Sequence, residues 1–202
     1  MGRAVYGYGS SYYADLEKIV VHHPRNKYIL VVIETERLVL RKFAVTDASF
    51  IFELLNSPKW LQYIGDRGIK SVSDAQDYLV NGPLKSYATY GFGLYLINLQ
   101  NAGTPIGMCG LIKRNYLEDV DIGYALLPQY EGNGYAYEIA SATAAYAFNE
   151  LQLLKLAAIT DLHNERSVKL LEKMGFIFKE KITVKTEELM LFYKDLNNVS
   201  KL

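Results

Sequence analysis

A single mixed α/β domain is the fold that this 202-residue chain predicts. Three observations carry it. Apolar runs of strand length alternate with segments whose apolar residues recur at helical spacing. From about residue 34 to 196 the order is strand, two helices, three strands, helix, strand, helix, two strands. No internal repeat or low-complexity linker divides that stretch, and the length suits one sizeable core or at most two small ones.

Residues 1–32 stand apart. They are rich in Tyr, Gly and Ser, have no sustained periodicity, and are read as an N-terminal extension with no catalytic part. Poor order, or an added strand through Tyr28–Val32, are the alternatives. The regular domain is expected over residues 33–198. TERLVLRKF, from Thr35, alternates Leu38 and Leu40 with polar neighbours, as a half-buried strand does. Thr46-Asp47 then caps a helix with Phe50, Ile51, Leu54 and Leu55 at helical spacing, ended by Ser57-Pro58. Ser71 to Asp74 opens a second helix, AQDYLVNGPLKSYATY. The turn QNAGT joins FGLYLINL to PIGMCGLIKR as a hairpin, and VDIGYALL is a third strand. A helix is predicted from about Tyr135 to Leu151. The strand LKLAAITDL follows, then a helix from near Asn164 to the Met174-Gly175 stop. FIFKEKITV and EELMLFYKDL are the last two strands.

Bulk chemistry excludes several classes of function. Lys+Arg and Asp+Glu number 22 each, so the chain has no general attraction for a polyphosphate backbone, and nucleic acid is not an expected partner. One cysteine, Cys109, allows no intramolecular disulfide framework and no cysteine-based metal cluster. In GMCGLI it reads as a buried thiol rather than a nucleophile. His22 and His23 lie far from His163 in sequence, and no metal site is expected. The longest apolar run, Tyr28 to Ile33, is too short to span a bilayer. No signal-peptide pattern opens the chain, so no membrane role and a cytoplasmic location are expected.

LLPQYEGNGYAYEIA, Leu126 to Ala140, is the most informative stretch. A helix start leaves amide groups unpaired and carries partial positive charge. Gly132 and Gly134 remove the side chains that would keep an anion away. Gln129, Tyr130, Glu131, Gly132, Asn133 and Gly134 are therefore candidates to wrap a pyrophosphate. The same glycines also suit an ordinary strand–helix turn. The Lys-Ser/Thr pair of a P-loop is missing, and the loop comes too late in the chain for a Rossmann dinucleotide site.

From Thr35 to about Leu196 the chain resembles the GNAT superfamily of acetyl-CoA-dependent N-acetyltransferases, most closely its RimJ/RimL-like branch of ribosomal-protein N-terminal acetyltransferases. TERLVLRKF with Asp47, DIGYALLPQYEGNGYAYEIA, and HNERSVKLLEKMGF carry the resemblance in that order. It implies a GNAT-type α/β (α+β) fold: a mixed, mostly antiparallel twisted sheet of about seven strands, helices on both faces, and a splayed central strand pair. It also implies acetyl-CoA as acyl donor. The pantetheine arm would bond main-chain groups of Ala125, Leu126 and Leu127, with Gln129 opening the loop. The diphosphate would sit on the amides of Glu131, Gly132, Asn133, Gly134, Tyr135 and Ala136.

Acetyl transfer to an amine needs a neutral amine, a stabilised oxyanion and a neutralised thiolate. Asp121 is the candidate base, against the alternative of a solvated strand-end carboxylate. Asp161 is in reserve, and Glu187 and Glu188 are candidates on the acceptor side. Asn164 and Ser167 share one side of a helix start, where both are also good capping residues. Asn164 is a candidate pantetheine ligand, and Ser167 a candidate for both the cofactor contact and the thiolate. Many superfamily members carry a Tyr acid four residues beyond Ser167; this chain has Leu171. The amide near Leu127 is the expected oxyanion donor. Arg37, Arg41, Trp60 and Tyr63 are weaker candidates for an acceptor pocket, with surface pairing or packing as the alternative. Lys113 and Arg114 are candidates to meet an acidic acceptor. The expected function is direct acetyl transfer to a primary amine, on a protein N-terminus or a small molecule, by a monomer or homodimer. The alternatives are an acyl-CoA-sensing module without catalysis and a purely structural domain.

Overall fold

The computed structural model describes residues 30–196. β1 (Val31–Glu34), β2 (Leu38–Arg41), β3 (Leu94–Leu99), β4 (Pro105–Ile112), β5 (Val120–Leu126), β6 (Lys155–Asp161), β7 (Ile177–Val184) and β8 (Glu187–Asp195) form one sheet in the order β1-β2-β3-β4-β5-β6-β8-β7. Every neighbouring pair is antiparallel except β5–β6. Eight strands replace the expected seven or so. Thr35–Phe43 is not one strand: Thr35 turns the chain, its amide donating to the Leu38 carbonyl at 2.9 Å and its Oγ1 accepting from the Leu38 amide at 3.1 Å. β1 pairs with β2 across that turn, so the added strand is Val31–Glu34, and residues 1–29 of the extension lie outside the described residues.

Several helices start where local chemistry predicts, although Asp47 makes no side-chain cap bond at the first. α1 (Ala48–Leu55) follows a short 3-10 turn, Val45–Asp47, and buries Ile51, Leu54 and Leu55. Burial of each such side chain is worth about 1.5–3 kcal/mol relative to exposure. Pro58 does more than end it: with Ser57 as N-cap it opens α2 (Pro58–Tyr63), a helix beyond those expected. Ser71 Oγ accepts from the Asp74 amide at 3.1 Å and starts α3 (Val72–Leu79). α3 runs into α4 (Lys85–Tyr90) through a π-turn, Val80–Leu84, where Pro83 lacks the amide of a regular helix. α5 (Tyr135–Asn149) and α6 (Glu165–Lys173) complete the set.

The two sheet faces have separate cores. Helices α1–α3 pack with Leu96, Met108 and Leu127 on one face. Helices α5 and α6 pack with Ile97, Cys109, Leu111 and Ile122 on the other. On its buried side α5 presents Ala140, Thr143, Ala144 and Ala147, small residues that let it lie close to β4 and β5. Cys109 is fully buried with its Sγ 3.4 Å from Thr143 Oγ1, and burial pushes its pKa up to about 12, so it is an inert thiol. No helix among the described residues is long and apolar enough to cross a membrane.

Candidate active site

β5 and β6 register at two positions only, Val120↔Leu156 and Asp121↔Ala157. Beyond them the two strands part, each held by its outer neighbour: β5 by β4 from Asp121 to Leu126, and β6 by β8 along its whole length. The result is a V with an unpaired strand edge on each wall. The Leu127 amide donates to the Ile106 carbonyl at 2.9 Å, on the β4 side. Main-chain groups alternate sides along a strand, so those of Tyr124 and Leu126 face the V. The Leu127 amide is thus committed to β4, and the Leu126 amide beside it is the one that faces the V.

At the mouth of the V, the 3-10 turn Pro128–Tyr130 leads into the glycine loop. Gly132 (φ 78°) and Gly134 (φ 80°) are left-handed, and Gly134 is the N-cap of α5. A Cβ built on Gly132 would meet nothing within 4 Å, and Gly132, Asn133 and Gly134 are exposed. The loop is therefore an open concavity. Its floor is the first-turn amides of α5, which have no acceptor within the helix. Asn133 Nδ2 donates to the carbonyls of Tyr130 and Glu131 at 3.3 and 3.2 Å, holding the loop's curve. These features fit a diphosphate: the donors point outward and no side chain fills the space.

Charged side chains brace the loop. The Glu138 carboxylate accepts from Thr35 Oγ1 at 2.7 Å, the Arg37 amide at 3.1 Å and Arg37 Nε at 2.7 Å. Burial raises its pKa, but the Thr35 and Arg37 bonds outweigh that and hold it below the ordinary glutamate value. Arg37 also donates to the Asn133 carbonyl at 3.0 Å and lies 4.6 Å above the Tyr135 ring. Arg37 is thus a support for the loop and not part of an acceptor pocket. Removing the carboxylate in Glu138→Ala is expected to cost about 2 kcal/mol, since bonds to a charged group are the stronger kind, lowering Tm by about 4–8 °C. A calorimetric scan checks it, and an unchanged Tm would contradict the bracing role. Glu131 carries two cations, Lys59 and Arg166, the latter at 2.8 Å.

Asp121 lies at the closed end of the V, 1% exposed. Arg114 Nε donates to its Oδ2 at 2.6 Å, and Oδ1 has no hydrogen-bond partner among the described residues. Burial pushes its pKa up to about 6; the charge and hydrogen bond of Arg114 pull it down, as does the nearby Ile159 amide. Asp121 is therefore no solvated strand-end carboxylate. Arg114 is committed to it, and Lys113 donates to the Glu118 carbonyl, which leaves neither as a ready anchor for an acidic acceptor.

Asn164 is the N-cap of α6, its Oδ1 accepting from the Ser167 amide at 3.1 Å. Ser167 Oγ lies 3.0 Å from the hydroxyl of Tyr124 on β5. Asp121 and Ser167 stand on opposite faces. Strand alternation puts Asp121 with Ala125, on the α1–α3 side, while Ser167 meets Tyr124 on the α5–α6 side. Asp161 accepts from the His163 amide at 2.7 Å, an Asx turn that ends β6. Glu187 and Glu188 are exposed beside the β7–β8 turn. Arg41 makes a two-pronged pair with Asp47 at 2.8 Å, tying β2 to the start of α1. Trp60 is core, with Nε1 unpartnered among the described residues, and Tyr63 is half-buried at the end of α2.

Sequence reasoning missed Tyr124 and the brace made by Thr35, Arg37 and Glu138. Tyr124 had one signal. It is two residues from Ile122 on the apolar side of its strand, and a hydroxyl there needs a partner.

A parallel strand pair that parts after two residues, with an open glycine loop and a helix start at its mouth, points to the class: an acyltransferase on a splayed mixed sheet. The chain belongs to the acetyltransferase (GNAT) domain family, which it matches over residues 37–177. It is 32% identical over 151 residues to the uncharacterized protein YkkB of Bacillus subtilis, covering 73% of this chain and 86% of that one. It is 29% identical over 147 residues to an uncharacterized N-acetyltransferase, YoaA, of the same organism, covering 72% and 82%. RimL, a ribosomal L7/L12 alpha-N-protein acetyltransferase solved with coenzyme A, shares the fold with a TM-score of 0.70 at 16% identity, over 82% of this chain and 97% of that one.

Proposed function

We propose that this N-acetyltransferase transfers an acetyl group from acetyl-CoA directly to a primary amine, on a protein N-terminus or a small molecule. One observation carries the reading: β5 and β6 are joined at only two positions, and the open edge beyond them leads to a loop of amides that no side chain covers at Gly132. The donor, when bound, supplies an activated acetyl thioester. The main-chain groups of Leu126 and Tyr124, which face the V, hold an extended amide chain as an added strand would, while the expected main-chain contacts of Ala125 and Leu127 are taken up by β4. Gln129 and the segment Glu131 to Ala136 hold the diphosphate, and the Asn164 side-chain amide reaches the pantetheine.

The Leu126 amide faces the oxygen that gains charge when the new N–C bond forms. Asp121, ionised above about pH 6, draws off the amine proton directly or through water. Ser167 meets the sulfur with its hydroxyl proton as the C–S bond breaks. Much of the acceleration comes from holding both reactants in register. RimL's name concerns a protein N-terminus, which motivates that acceptor class as one arm of the test.

Isothermal titration with acetyl-CoA tests the donor half, and no binding up to millimolar concentration would remove it. Thiol release with a panel of primary amines then tests transfer. The ion pair of Asp121 with Arg114 favours the second reading, a binding module without turnover. Binding without thiol release from any amine would select it.

A further inference from the structure

Tyr124 spans the V. Its backbone is paired with Cys109 on β4, and its hydroxyl ends 3.0 Å from Ser167 Oγ in the first turn of α6. A phenol is a stronger acid than an aliphatic hydroxyl, so it is the better donor of the two. The Ser167 carbonyl is 3.5 Å from the same hydroxyl, a poorer acceptor position than Oγ. Ser167 is thereby held from two sides, with its amide on the Asn164 cap and its Oγ on the phenol.

We infer that Tyr124 is the positioning residue of the thiolate side, donating to Ser167 Oγ so that the serine's own proton is turned into the V toward the sulfur. The inference rests on the acetyl-CoA reading above. The step is a pair of hydrogen bonds and moves no proton from Tyr124. Sulfur takes the electron pair of the C–S bond, Ser167 O–H donates to it, and the proton lost by the amine finally neutralises it. Burial pushes the phenol's pKa up to about 12, so it remains a donor across the working range of pH. This arrangement gives a mechanical meaning to Leu171: with no tyrosine acid on α6, a hydroxyl from β5 supports the serine instead.

The test needs no acceptor. The thiol of bound CoA is titrated by its thiolate ultraviolet absorbance, as a difference against the complex with desulfo-CoA. The paired hydroxyls are expected to lower the bound thiol's pKa by about one pH unit, a tenfold gain in thiolate. Tyr124→Phe, which keeps the ring, is expected to reverse most of that shift, as is Ser167→Ala. The double variant should do no more than Ser167→Ala alone, and Ser167→Thr should restore part of the shift. A Tyr124→Phe complex with the wild-type thiol pKa, or losses that add in the double variant, would overturn the inference. No CoA binding by the wild-type protein removes the cofactor reading, and this one with it. Binding with a thiol unmoved by either variant removes this one alone.

Discussion

Gly134→Val is expected to raise the Kd for acetyl-CoA about 100-fold. At φ 80° a residue with a Cβ sits in the left-handed region, which costs about 1–2 kcal/mol and more for a β-branched side chain. That strain alone would unwind the start of α5. A Cβ at Gly134 would stand 3.4 Å from Arg37 Nη2, an ordinary contact distance, so backbone strain and the added methyl groups, not a clash at Cβ, carry the effect. The amides of Tyr135 and Ala136 then lose both their direction and their access. Gly134→Ala should give a smaller loss, about 5–10-fold, because it carries the strain with less bulk. Titration calorimetry measures both. The Tm of each variant separates loss of the cradle from loss of the fold. If Gly134→Val binds acetyl-CoA as the wild type does, the diphosphate is not held by this helix start.

Asp121→Asn is expected to lower kcat at least about 100-fold, the lower end of what a general base contributes. The pH profile makes the test specific. Burial raises the folded-state pKa of Asp121 above its ordinary value, to about 6, so the carboxylate is protonated below that pH and ionised above it. A base must be ionised to accept a proton. Activity of the wild type should therefore fall as pH drops through about 6 and level off above it. The asparagine variant should lack that limb over the same range and keep its acetyl-CoA affinity within a few fold, since Asp121 lies at the closed end of the V, away from the cradle. The neighbouring Arg114 loses its partner in this variant, so Tm should fall as well. An Asp121→Asn enzyme with wild-type kcat and an intact acid limb would return the carboxylate to a purely structural role. Wild-type acetyl-CoA binding with no transfer at any pH would point to the binding-only module.

The local part of the architecture was legible because its causes lie within a few residues. The alternation in VDIGYALL, the cap at Ser71, and the bare backbone at Gly132 and Gly134 act within a single turn or strand. The same reasoning went wrong where a tertiary contact overrode local preference. Thr35–Arg37 has strand-like neighbours, but Thr35 closes a turn onto Leu38, and β1 pairs back on β2. Pro58 reads as a helix terminator, although at a first helical position it starts α2. Position along the chain placed the expected oxyanion donor near Leu127 but did not say which way the amide of Leu127 itself points. Only the β4–β5 register reveals that its amide is already committed to Ile106.

By itself, then, the sequence determined the order of the elements from β3 onward, the starts of α3, α5 and α6, the exclusion of a cysteine framework and the place of the glycine loop. All of these follow from backbone preferences and short-range periodicity. The tertiary structure alone decided where the expected splayed pair parts, after two residues of β5–β6, that Arg37 reaches Glu138 across 101 positions, that Asp121 is sealed against Arg114, and that Tyr124 meets Ser167 across 43. Those contacts join side chains distant in sequence, whose energies count only once the sheet has brought them within hydrogen-bond reach. No pattern along one strand or one helix encodes that distance.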